Sequence, residues 1–138
     1  MLKASIKLSA LAAMLALAGC QSMGALTSAQ DEPAPPGNPG FAGEIAKFHA
    51  QFPNPQASAY EEVSLNYNNA NKLDERGNCH DLAKHHVIVV LLLDKEGKVT
   101  GSTADVKSKK AQCFQNLYAS AQFPRPPFAP YRKPLNLR

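Results

Sequence analysis

The longest unbroken apolar stretch beyond the N-terminus is Val87-Ile88-Val89-Val90-Leu91-Leu92-Leu93, which stops at Asp94-Lys95-Glu96-Gly97 and restarts at Lys98-Val99. Seven apolar residues fall well short of the roughly 20 that a membrane helix needs, and the β-branched Val and Ile favour a strand. Asp94 can bond its own backbone and Gly97 can take a positive φ, so these four residues read as a hairpin turn. The return strand, Lys98 to Val106, carries Thr100, Ser102, Thr103 and Asp105 and therefore has one wet face. A continuous apolar strand beside a half-polar one predicts a small antiparallel sheet with the apolar strand central and a helical layer over one face.

Helical spacing flanks this hairpin. Within Phe41 to Phe52, Ile45, Phe48 and Phe52 recur every three to four residues and predict a short amphipathic helix ended by Pro53 and Pro55. Ser58-Ala59-Tyr60-Glu61 has the form of a capping box opening a second helix, with Tyr60, Val63, Tyr67 and Ala70 on its apolar face. Asn66, Asn68, Asn69 and Asn71 are poor helix formers, so that helix is expected to fray before Gly77. Ser108 caps a third helix expected over Ser108 to Gln122, which turns Ala111, Phe114, Leu117, Tyr118 and Ala121 inward. Phe123-Pro124-Arg125-Pro126-Pro127 stops it, and Pro134 to Arg138 is an edge strand that completes three. The expected fold is α+β, a three-stranded antiparallel sheet packed on one face by two to three helices.

The N-terminus is organised differently. Lys3 and Lys7 precede an apolar core from Leu8 to Leu17, the pattern of a secretory signal peptide over residues 1–19. Leu17-Ala18-Gly19-Cys20 resembles the lipobox of bacterial lipoproteins, which implies cleavage before Cys20 and a diacylglyceryl thioether on its sulfur. Residues 20–40 are rich in Ser, Ala, Gln, Pro and Gly and read as a linker about 25 Å long as a flexible coil, leaving 41–138 as the domain. Gln21 is not the aspartate that resembles the inner-membrane retention signal of enterobacterial lipoproteins. The expected location is therefore the outer membrane, lipid-anchored and facing the periplasm. With Cys20 lipidated, Cys79 and Cys113 remain of the three cysteines. In an oxidising compartment they are expected to form a disulfide, which in the chain-entropy model contributes roughly 3 to 4 kcal/mol.

Charge adds one feature. Removing Lys3 and Lys7 with the signal reduces 15 basic residues to 13 against 11 acidic, a net +2. Yet from Lys98 to Arg138 eight Lys or Arg stand against the single acid Asp105, so part of the surface is expected to be positive. In the periplasm such a face meets acidic protein surfaces, lipid headgroups or lipopolysaccharide, or is only solvated; nucleic acid is not an expected partner.

The order strand, Asp-x-x-Gly turn, strand, helix, Phe123-Pro124-Arg125-Pro126-Pro127 and closing Lys133-Pro134-Leu135-Asn136-Leu137-Arg138 resembles the C-terminal domains of the TolA and TonB family of envelope proteins. Ala111-Gln112-Cys113-Phe114-Gln115 is similar to the TolA pattern of a helix starting at a disulfide cysteine, and the resemblance covers about Cys79 to Arg138. It implies a protein-interaction module that binds an envelope partner, such as a component of the Tol-Pal or TonB-dependent systems, by strand addition at a sheet edge. On that reading Leu135 and Leu137 lie in the partner-binding edge, and Lys107, Lys109, Lys110, Arg125, Arg132 and Lys133 steer an acidic partner. The chain departs from the family in its lipid anchor and short linker, which exclude energy transduction of the TolA or TonB kind, and in Cys79 preceding the first strand. A variant reading is a decoy or modulator of TolA partners, including phage or colicin proteins.

Catalytic and metal chemistry has little footing. Cys79-His80-Asp81-Leu82-Ala83-Lys84-His85-His86 contains ligand types, but its spacing matches no dedicated zinc pattern, and a disulfide would remove Cys79. No Gly-x-Ser-x-Gly, phosphate loop or HExxH motif is present. No enzyme activity, catalytic residue, cofactor or metal is expected. The alternative from another class is a small metal-binding or enzymatic envelope protein using Cys79, His80, His85 and His86.

Overall fold

A computed structural model describes residues 32–138. The signal peptide, the lipobox and Cys20 lie outside the described residues. The elements are α1 (Phe41–His49), α2 (Pro55–Ala70), a 3-10 segment (Arg76–Leu82), β1 (Val87–Leu93), β2 (Val99–Ala104), α3 (Lys109–Tyr118) and β3 (Tyr131–Leu137). No helix among the described residues is long and apolar enough to cross a membrane.

The three strands form one antiparallel sheet in the order β2-β1-β3, so the apolar run is central as its composition requires. The turn works through Asp94, whose Oδ1 accepts from Glu96 N at 3.0 Å and Lys98 N at 2.9 Å. Gly97 has φ +85°, and a Cβ there would lie 2.3 Å from the Phe123 carbonyl oxygen, so the position excludes side chains twice over. Phe123 N in turn donates to Gly97 O at 2.9 Å, which fastens the segment after α3 to the hairpin.

Side-chain alternation assigns the two faces. Val87, Val89, Leu91 and Leu93 pair with Leu137, Leu135, Lys133 and Tyr131, and together they face the main core beneath α2 and α3, with Tyr60, Phe114, Tyr118 and Phe123. Ile88, Val90 and Leu92 point the other way. There Val90 is only 2% exposed although it lies outside the main core cluster. α1 packs against all three strands, and its half-buried Phe41, Ile45 and Phe48 also lie outside that cluster. α1 therefore covers the second face. The α+β class and the three-stranded sheet are as expected, but helices cover both faces and not one. The reason is in β1 itself, apolar at odd and even positions alike, so that either face left bare would expose Val or Leu.

The helices differ from expectation in detail. α2 starts at Pro55, not at the Ser58 box, because Asn54 is the N-cap (Oδ1 accepts from Gln56 N at 2.9 Å) and proline suits the first helical position. Its inner face is Ala57, Tyr60, Ser64 and Asn68, while Val63 is 50% exposed. α3 is capped by Ser108, whose hydroxyl accepts from Ala111 N at 3.1 Å, and ends at Tyr118 rather than Gln122. β3 starts earlier than expected, at Tyr131.

Candidate functional site

Because Asp105 N donates to Ile88 O at 2.9 Å, the even residues of β1 direct their backbone groups to β2 and the odd ones to β3. Tyr131, Lys133, Leu135 and Leu137 then bond β1, and the N–H and C=O groups of Arg132, Pro134 and Asn136 point outward along the free edge of β3. This edge is partly closed. The Gln51 side chain acts as a one-residue strand against Arg132, its Oε1 accepting from Arg132 N at 2.7 Å and its Nε2 donating to Arg132 O at 3.1 Å. Pro134 has no N–H to offer, which is why proline is tolerated there. Past the strand, His80 Nδ1 hydrogen-bonds the Arg138 carbonyl. Among the described residues, what stays open is the Pro134 carbonyl and both backbone groups of the exposed Asn136.

The opposite edge is less accessible. Ser102 O accepts from Gln115 Nε2 at 3.1 Å, and Ala104 is 2% exposed. Pro36 to Asn38 pairs with the extension of β2, Lys107 N donating to Pro36 O at 2.8 Å and Asn38 N to Asp105 O at 2.7 Å.

The residues expected at a partner surface are scattered by the fold. Leu135 and Leu137 are buried in the core and contribute backbone to the sheet, so they present no side chain at the edge; the outward residue between them is Asn136. Lys133 is 3% exposed, its Nζ 2.7 Å from Glu61 Oε2. Lys110 is 2% exposed, its Nζ donating to Ala83 O at 3.0 Å and His85 O at 2.8 Å. Burial, with Lys84 nearby, holds the Lys110 ammonium below the usual lysine range. Arg132 is half-buried and paired through Nε with Glu44 Oε2 at 2.7 Å. The Lys47 and Arg132 bonds to Glu44 lower its pKa. These three cations are structural, so of the six expected to steer a partner only Lys107, Lys109 and Arg125 are exposed.

Cys79 and Cys113 are joined, with Cα atoms 5.6 Å apart and a sequence separation of 34. Gly77 (φ +76°) and Asn78 (φ +55°) turn the backbone left-handed just before Cys79 and aim it at α3; both residue types tolerate that conformation. The bond ties the 3-10 segment to α3. His80 packs edge-on to Phe114 at 4.9 Å, with Nε2 3.4 Å from Asp74 Oδ2. His85 Nε2 lies 3.0 Å from Ser108 Oγ, and His86 is exposed. Cys79, His80, His85 and His86 thus do not converge, and among the described residues no three His, Cys, Asp or Glu side chains are placed to hold a metal ion.

Sequence reasoning missed Gln51 and Asn136. Nothing local marks Gln51, since its role depends on a strand 81 residues away. Asn136 had a signal: in Pro-Leu-Asn-Leu the leucines alternate with the residues that must face outward.

No protein family matches the chain, and no curated protein and no solved structure shows significant similarity to it.

Proposed function

We propose that the chain is a lipid-anchored protein of the bacterial outer membrane whose periplasmic domain binds an envelope protein by strand addition at the Pro134–Leu137 half of β3. The observation that carries this reading is the exposed Asn136, with an N–H and a C=O pointing away from β1 beside a Pro134 carbonyl that has no partner among the described residues. The lipobox at Cys20 and the resemblance to TolA and TonB C-terminal domains support it, and they make components of the Tol-Pal or TonB-dependent systems the partners to try first. Three backbone hydrogen bonds contribute about 3 kcal/mol, well short of the roughly 8 kcal/mol of a micromolar complex. The partner must therefore also bury side chains, and the half-buried Ile88 and Pro134 beside Asn136 offer it apolar surface.

Asn136→Pro removes an outward N–H without touching the β1 ladder. Affinity capture from envelope extract, read by mass spectrometry, is expected to lose the partner with this variant while circular dichroism stays unchanged. A folded variant that retains the same proteins would exclude this edge. The anchor has its own check: radiolabelled palmitate is expected to enter the wild type and not Cys20→Ser, and equal labelling would remove the lipoprotein reading.

A further inference from the structure

We propose that the face where the tether joins the domain, centred on Lys107 and Lys109, rests on anionic phospholipid headgroups of the membrane that holds the anchor. This rests on the lipid-anchor reading and is independent of strand addition.

The entry point of the chain is fixed. Pro36 and Asn38 are bonded to Lys107 and Asp105 on either side of the Gly37–Val106 bridge, and Asn38 lines a cleft of about 420 Å³ together with Lys107, Lys109, Gln112 and Gln115. The tether therefore reaches the domain at the rim of this cleft. Lys107 and Lys109 are exposed and take part in no ion pair among the described residues. Two acids lie nearby, Asp105, whose Oδ1 accepts from Ile88 N at 3.0 Å, and Glu32, whose Oε1 is 4.0 Å from His85 Nδ1; neither forms an ion pair with Lys107 or Lys109.

From Cys20 to Pro36 the sequence has 17 residues, and a flexible linker of that length spans roughly 21 to 25 Å. That exceeds the Debye length of about 8 Å, so charge alone does not reach from the mean tether distance to the bilayer. The tether instead confines the lysines at an effective concentration on the order of millimolar. Each lysine that touches an anionic surface then favours contact by about fivefold, and two favour it by about 25-fold. A bilayer suits this face better than an acidic protein, because the anchor keeps headgroups within the linker's reach whether or not a partner is present. The orientation also has a consequence. Lys107 continues β2 on one side of the sheet, so resting it on the membrane turns the β3 edge away, toward the periplasm.

The test uses the lipidated protein in two bilayers, one of phosphatidylcholine and one with 30% phosphatidylglycerol, and follows acylation of individual lysines by mass spectrometry. The anchor holds the protein on both, so failure to associate with either indicts the anchor and not this proposal. Lys107 and Lys109 are expected to react at least fivefold more slowly on the anionic bilayer, with the difference abolished by high salt. Lys95, in the hairpin turn and 82% exposed at its side chain, should keep its rate. Equal rates on the two bilayers, or equal slowing of Lys95, would overturn the proposal. So would protection of the pair by polyglutamate with none from phosphatidylglycerol, which would make this face a contact for acidic proteins.

Discussion

Raising the pH from 10 to 12 is expected to destabilise the domain by about 6 to 7 kcal/mol and unfold it cooperatively. Three of the four tyrosines are buried: Tyr60 is 5% exposed, and Tyr118 and Tyr131 are 0% exposed. Burial raises the pKa of all three phenols, with Glu61 adding to Tyr60 and Tyr131 and Asp74 adding to Tyr118. A group that keeps its proton longer in the folded state contributes stability that is fully present below its unfolded pKa, near 10 for tyrosine. That stability is lost as pH climbs toward the folded value. Two pH units above 10 cost about 2 kcal/mol per tyrosine, so three together match the whole stability of a typical small domain. Lys110 acts with opposite sign, its lowered pKa making the fold gain as pH rises toward about 10.5, and it contributes no slope above that. Absorbance at 295 nm and far-ultraviolet circular dichroism should therefore change together in one steep step. Tyr118→Phe should make that step shallower. Gradual ionisation of all tyrosines near pH 10 with the sheet intact would contradict the burial argument.

The hairpin was legible because two independent local signals agree there, the β-branched run and the Asp94 and Gly97 turn chemistry. The second helix was legible in kind but not in register. Pro55 reads as a stop when the helix is sought downstream of it, whereas Asn54 makes it a start. The inner face of α2 was misjudged for a different reason. Val63 looks like core and Asn68 like surface until the partners of Asn68 are known: Tyr118 donates to its Oδ1 at 2.7 Å, and its Nδ2 donates to Asp74 at 3.2 Å. The same holds for the charges. Counting lysines gave a positive C-terminal half, but Lys110 and Lys133 are inside because carbonyls of Ala83 and His85 and the carboxylate of Glu61 await them, and no local pattern announces such distant partners. Of the six cations expected to steer a partner, Lys107, Lys109 and Arg125 keep exposed side chains, and Lys107 and Lys109 lie beside the Pro36–Asn38 segment.

Glu61→Leu is expected to cost about 3 to 5 kcal/mol, and Lys133→Met far less, although each removes the same ion pair. The asymmetry follows from burial. The Lys133 side chain is 3% exposed and that of Glu61 22%. Without the carboxylate, the Lys133 ammonium keeps only a 3.4 Å hydrogen bond to the Glu61 main-chain oxygen, with 3% of its side chain exposed to solvent. An uncompensated buried charge carries a penalty of that size. Without the lysine, Glu61 still accepts from the Tyr131 hydroxyl at 2.8 Å and hydrates its exposed edge, so about 1 to 2 kcal/mol is expected. The double variant should recover most of the loss, landing near Lys133→Met alone, because an apolar pair replaces the ion pair and leaves no charge stranded. Urea titrations of the wild type and the three variants close the cycle. Equal losses in the two single variants, or a double variant as weak as their sum, would show that Lys133 reaches water and that the ion pair does not govern this part of the core.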